Sequence, residues 1–145
     1  MIVNLLDDNA YFDRAECSGF ENNVRTILRE LKLSDTTELC VTFIDDKYMR
    51  KLNKQYRGLN KTTDVLSFPQ SGPDPDVLGD IAISVDTAGR NARRYGVTLT
   101  EEVLTLIVHG TLHLLGYDHE KKSERELMRG KEKELMSMLE PKSAR

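Results

Sequence analysis

Apolar positions change their spacing several times along the chain. Residues 2–6 (IVNLL) form a short apolar run that ends in the turn chemistry of Asp7-Asp8-Asn9, and they predict a strand. Phe20, Val24, Ile27, Leu28 and Leu31 recur at helical spacing and predict a helix over 20–33. Residues 39–44 (LCVTFI) are apolar and β-branched, a second strand. Asp45-Asp46 then offers an N-cap, and Met49, Leu52 and Tyr56 continue at helical spacing until Gly58 stops the helix. Val65 to Phe68 is a short strand closed by Pro69, and residues 70–78 (QSGPDPDVL) read as a surface loop. Residues 79–85 (GDIAISV) return as a strand. The loop is short enough for a hairpin, so these two strands are expected to pair antiparallel.

A helix follows from Asp86 to about Tyr95 and ends at Gly96. Thr98 or Thr100 caps the next, with Glu101 and Glu102 in its first turn, where the helix dipole favours acids. That helix runs to Leu115 and stops at Gly116. A last amphipathic helix covers about 123–139, and 141–145 (PKSAR) is expected to be a frayed tail. The order β-α-β-α-β-β-α-α-α predicts an α/β (α+β) fold, a single mixed sheet of about four strands packed with about five helices. Residues 1–145 are expected to form one domain.

Composition adds little beyond an ordinary globular character: 39% of residues are hydrophobic and 31% charged. The opening residues have neither a basic start nor a long apolar stretch, and the apolar run from Val103 to Val108 is too short to cross a bilayer. A cytoplasmic location without a membrane partner is expected. Cys17 and Cys40 match no metal motif and read as two reduced thiols. Charge changes the picture more. The net charge is −3, yet the stretch from Lys47 to Lys61 holds six bases (Lys47, Arg50, Lys51, Lys54, Arg57, Lys61) and no acid. Such a middle permits a local polyanion site and argues against broad coating of nucleic acid.

All three histidines lie in one eleven-residue string, HGTLHLLGYDH, from His109 to His119. His109 and His113 are four apart on a predicted helix, so their rings stack on one face. Gly116 turns the chain, so that His119 can return as a third ligand. Three imidazoles leave one position of a tetrahedral metal open, the arrangement of catalytic rather than structural zinc. Nickel, copper and iron suit the same donors. The spacing HxxxHxxGxxH is also that of the metzincin proteases, but their general-base Glu is replaced by Gly110. Hydrolysis then falls to metal-polarised water or to a base from elsewhere, and peptide cleavage is demoted.

Arg57 lies in YRGLNKTTDVLSFP, and a guanidinium near a metal suits a phosphodiester, although Arg57 equally reads as the end of a surface helix. Lys51, Lys54, Arg90, Arg93 and Arg94 suit a phosphate backbone, but charged helix faces are usually just solvated. Asp64 and Asp118 each read as a turn cap or as a carboxylate orienting a ligand histidine. Tyr117 reads as packing.

HGTLHLLGYDH, YRGLN-KTTDVLSFP and the GDIAIS strand together resemble the YbeY family over nearly the whole chain. The resemblance implies a metal-dependent, single-strand-specific endoribonuclease acting in maturation of the small-subunit rRNA 3′ end and in ribosome quality control. It implies one Zn2+ per chain on His109, His113 and His119, and catalytic parts for Arg57 and His113. RNA is the implied partner, held by Lys51, Lys54, Arg57 and Lys61, with ribosomal subunits and assembly factors as further partners. Two other readings stand beside it: a zinc metalloprotease-like hydrolase, and a non-catalytic ribosome-assembly factor with a structural metal.

Overall fold

The apolar runs become strands and the helical spacings become helices in a computed structural model, which describes residues 1–70, 72–118 and 120–140. The expected tail, 141–145, lies outside the described residues, as do Ser71 and His119. Nine elements follow in order: β1 (Ile2–Leu6), α1 (Arg14–Glu30), β2 (Glu38–Ile44), α2 (Asp46–Arg57), β3 (Val65–Pro69), β4 (Val77–Ser84), α3 (Val85–Tyr95), α4 (Leu99–Leu114) and α5 (Lys122–Met136).

The four strands form one mixed sheet in the order β1-β2-β4-β3. β1 and β4 each run parallel to β2, whereas β3 pairs antiparallel with β4, as the short connection implies. Side chains alternate across the sheet. Leu39, Val41 and Phe43 of β2 and Ile81 and Ile83 of β4 point to one face, where they meet Phe20, Val24, Ile27 and Leu28 of α1 and Val103, Leu104, Ile107 and Leu112 of α4 in the main core. The rings of Phe12 and Phe20 meet edge-on there, with centroids 4.9 Å apart. The other face carries a smaller cluster of Ile44, Met49, Leu66 and Ala82, with Leu52 and Phe68 packed on it beneath α2.

Local chemistry accounts for the boundaries. α1 starts earlier than its apolar spacing predicts, because Asp13 and Glu16 form a reciprocal capping box ahead of the first core residue. Asp45 caps α2 by accepting from the Tyr48 N–H. Thr98, not Thr100, caps α4. β4 begins at Val77, two residues before the expected start, and α5 ends at Met136 rather than near 139. Among the described residues no helix is long and apolar enough to cross a membrane. Cys17 and Cys40 are both free thiols.

Candidate metal centre and cationic surface

α4 is apolar on most sides, and its fit to the sheet decides where its histidines stand. Gly110 faces the sheet at close range. A Cβ there would lie 3.0 Å from the Ile81 side chain and 3.1 Å from Ser67 Oγ. The Ser67 hydroxyl donates to the Gly110 carbonyl at 3.1 Å, tying β3 to α4. With Gly110 against the sheet, His109 and His113 project from the flank of the helix, each partly exposed. Their Nε2 atoms are 3.0 Å apart and their rings stand edge-on, with centroids 4.6 Å apart.

Two nitrogens each 2.0–2.1 Å from one tetrahedral ion would be separated by about 3.3 Å. The observed separation is close to that, and imidazole nitrogen is an apt donor for zinc, so the pair fits a shared metal ion. No group of three or more possible metal donors occurs among the described residues, and His119, the expected third ligand, lies outside them. The turn that leads toward it is in place. Gly116, at φ +94°, closes α4 in a Schellman motif: its N–H donates to the His113 carbonyl and the Tyr117 N–H donates to the Leu112 carbonyl, both at 3.0 Å. Tyr117 packs against the main core, as expected. Asp118 Oδ1 accepts from the Glu120 N–H at 3.2 Å.

Glu132 of α5 brings a carboxylate oxygen 3.5 Å from His109 Nδ1, on the side of the ring away from His113. A carboxylate in that place orients a ligand imidazole and raises its basicity. Sequence spacing could not show this partner, because it sits 23 positions away and arrives only when α5 packs on α4. His109 also borders a cleft of about 410 Å³ shared with Asp64, Asn91, Glu101 and Glu102. Burial pushes the Glu102 carboxyl up from its ordinary range, and Asp64 adds to the rise against an opposing hydrogen bond from Asn91. Asp64 itself accepts from the Val65 N–H at 2.8 Å and from Asn91 Nδ2 at 3.3 Å, so it caps the entry to β3.

The bases of α2 gather in a second place. Lys47, Arg50, Lys51 and Lys54 share one flank of the helix, and the following loop adds Lys61. The loop is held there by Asn53, whose buried amide donates to the Lys61 carbonyl at 2.8 Å, and by Arg50, whose Nε donates to Asn60 Oδ1 at 3.2 Å. These five cations line a concavity of about 790 Å³ in which Asp46 is the one acid. Burial raises the Asp46 carboxyl, but hydrogen bonds from Ser84, Thr87, Arg90 and Thr62 outweigh it and hold the group down at about 2. Arg90 pairs with it at 2.8 Å, so Arg90 serves as a clasp between α3 and α2. Arg93 and Arg94 lie exposed in the last turn of α3, where cations complement the helix dipole.

Arg57 is the exposed last residue of α2, and its side chain makes no hydrogen bond or ion pair among the described residues. It stands three positions beyond Lys54 and seven beyond Arg50, on their side of the helix. Lys51 and Lys54 are also exposed. The structure therefore joins Lys51, Lys54 and Lys61 in one basin, and Arg57 is not among the residues that line it.

The family pattern of Endoribonuclease YbeY matches residues 6–140. The chain is 40% identical over 147 residues to a protein named Endoribonuclease YbeY from Desulforamulus reducens, covering 96% of each. It is 50% identical over 123 residues to one of the same name from Sulfurihydrogenibium sp., covering 83% of this chain and 80% of that one. The solution structure of TM1509 from Thermotoga maritima resembles the fold with a TM-score of 0.64 at 26% identity, covering 94% of this chain and 90% of that chain.

Proposed function

The chain belongs to the Endoribonuclease YbeY family and is an endoribonuclease, and from that premise we propose that it cuts single-stranded RNA with the help of one zinc ion, in 3′-end maturation of small-subunit rRNA and in ribosome quality control in the cytoplasm. Ribosomal subunits and assembly factors would bring it to that substrate. The observation that carries the metal reading is the convergence of His109 Nε2 and His113 Nε2. His109 and His113 would hold the metal together with His119, which is assigned from its place in the motif alone. When bound, zinc supplies Lewis-acid polarisation of a phosphoryl oxygen or of water.

The rest of the reading concerns this chain's own groups. Glu132 keeps the His109 ring turned with its Nε2 toward His113. Arg57 gives its guanidinium to the phosphodiester and offsets the negative charge that grows on the phosphoryl oxygens. Lys51, Lys54 and Lys61 neutralise flanking phosphates from the basin along the same helix and the loop after it. His113 contributes to catalysis by holding the metal. Gly110 leaves the position that follows the first histidine without the carboxylate a zinc peptidase carries there, in keeping with a phosphodiester rather than a peptide substrate.

The test is cleavage of a ribosomal RNA fragment bearing a single-stranded 3′ extension, with the metal content of each protein measured. Wild type should cut it. His113→Ala should lose metal and activity together, by about a thousandfold or more, since a catalytic metal supplies several kcal/mol. Arg57→Ala should keep its metal and lose activity. Metal-loaded wild type that cuts nothing, alone or with ribosomal subunits, would leave the assembly-factor reading in its place.

A further inference from the structure

α2 has a third side, away from the cationic basin and at the margin of the smaller apolar cluster. Tyr48, Leu52 and Tyr56 recur every four residues along it. They overhang the open face of the sheet and form a groove of about 320 Å³ with Phe68, Thr42 and Asp80. Tyr48 is 54% exposed and Tyr56 59% exposed, unusual for large rings over an apolar floor. The Tyr56 ring is nevertheless fixed: it stands edge-on to Phe68, with centroids 4.9 Å apart and planes at 61°. A ring braced at one edge and open elsewhere is a stacking platform.

The charges on the two sides of α2 say what would stack there. Five cations line the basin on one flank, and the groove on the other holds a carboxylate, Asp80, and a hydroxyl, Thr42. Phosphate is drawn to the first side and repelled from the second. The edge of a nucleobase, with its amino or imino N–H, finds acceptors in the second. A strand crossing α2 would thus be sorted, backbone to the lysines and base to the tyrosines. Only an unpaired base can be splayed out in this way.

We infer that the Tyr48–Tyr56 groove binds one unstacked base of the substrate strand and is a determinant of single-strand selectivity. The inference rests on the ribonuclease reading above and adds a subsite to it.

Fluorescence anisotropy with the metal-loaded protein tests it. The probes are a single-stranded 2′-O-methyl oligonucleotide, an abasic strand of the same length and charge, and a blunt duplex. Wild type should prefer the base-bearing strand to the abasic one by about tenfold, in the range that one base–aromatic stack supplies. Tyr56→Ala should abolish that preference while leaving the affinity for the abasic strand and the salt dependence in place. Tyr56→Phe should restore it. Both tyrosines are exposed, and melting temperatures matching wild type would show that the variants fold. If Tyr48→Ala and Tyr56→Ala keep the full preference while wild type still cuts single-stranded RNA, the inference fails and the groove belongs to another occupant, such as a protein segment. If wild type neither binds nor cuts single-stranded RNA, the ribonuclease reading fails and the inference goes with it.

Discussion

The two faces of the sheet differ in what covers them. One face is sealed by α1 and α4, with fully buried Leu28, Leu104, Ile107 and Leu112 among its core residues. The other is covered, among the described residues, by α2, whose Met49 completes a cluster of four buried residues. α2 is held at its N-terminus largely by polar contacts: Asp46 gathers Thr62, Ser84, Thr87 and Arg90 into one clasp. The histidine pair stands on the sealed side, where α4 is fixed against the sheet by the Ser67–Gly110 contact. The basin cations and exposed rings stand on the open side, and Arg57, the last residue of α2, begins the connection to β3, the strand that Ser67 ties to α4. Groups that must converge within a few tenths of an ångström need a rigid seat, whereas groups that catch a flexible strand need access.

Substitutions can break or sharpen that contrast. Leu112→Ala empties a fully buried place on the sealed face and should lower unfolding free energy by about 2–5 kcal/mol. Leu52→Ala on the open face, where the side chain is only partly buried, should cost about 1 kcal/mol. Urea denaturation reads both, and equal losses would erase the difference between the faces. Gly110→Ala drives a methyl into Ile81 and Ser67 and should cost about 1–3 kcal/mol by overpacking, with weaker metal binding as the helix is pushed off the sheet.

Asp46→Asn tests the clasp. The folded carboxyl, held at about 2, lies below its ordinary 3.8, so the charged form is favoured by folding. Its contribution is present above about pH 4 and is lost as pH falls from about 4 toward 2. Asp46→Asn should therefore be less stable at neutral pH and should lose that part of the acid dependence in thermal melts taken across the window. A variant whose acid profile matches wild type would show that the clasp holds nothing. The smallest effect is expected for Lys51→Ala. It should weaken binding of all single strands alike and reduce the slope of log K against log salt by about 0.7, the value for one phosphate contact on a single strand. A change confined to one RNA sequence would contradict a backbone role.

Sequence spacing shows the elements well because each depends on its own periodicity. The β3–β4 hairpin and the stop at Gly116 are local signals of this kind, whereas Thr98 and Thr100 offer the same cap and the structure takes Thr98. The true start of α1 is missed because Arg14, Ala15 and Glu16 carry no apolar spacing; the capping pair Asp13 and Glu16 was the signal available. The insertion of β4 between β2 and β3 is a matter of tertiary pairing, to which no single segment points. The site divides in the same way. His109 and His113 are legible because both lie on one helix at i and i+4. Glu132, and the shaping of a lysine run into a basin by Asn53 and Arg50, depend on contacts made after the elements meet.

The closeness of α4 to the sheet also bears on what this scaffold can become. An HExxH peptidase differs from the string here by one residue at its second position, and Gly110→Glu would write that motif in a single step. The new side chain would start 3.0 Å from Ile81, on the side of the helix turned to the sheet and away from the flank that carries the histidines. The step is short in sequence and blocked in space. Divergence toward peptide hydrolysis would first require a wider gap beneath α4, a change that no selection for a better ribonuclease would favour.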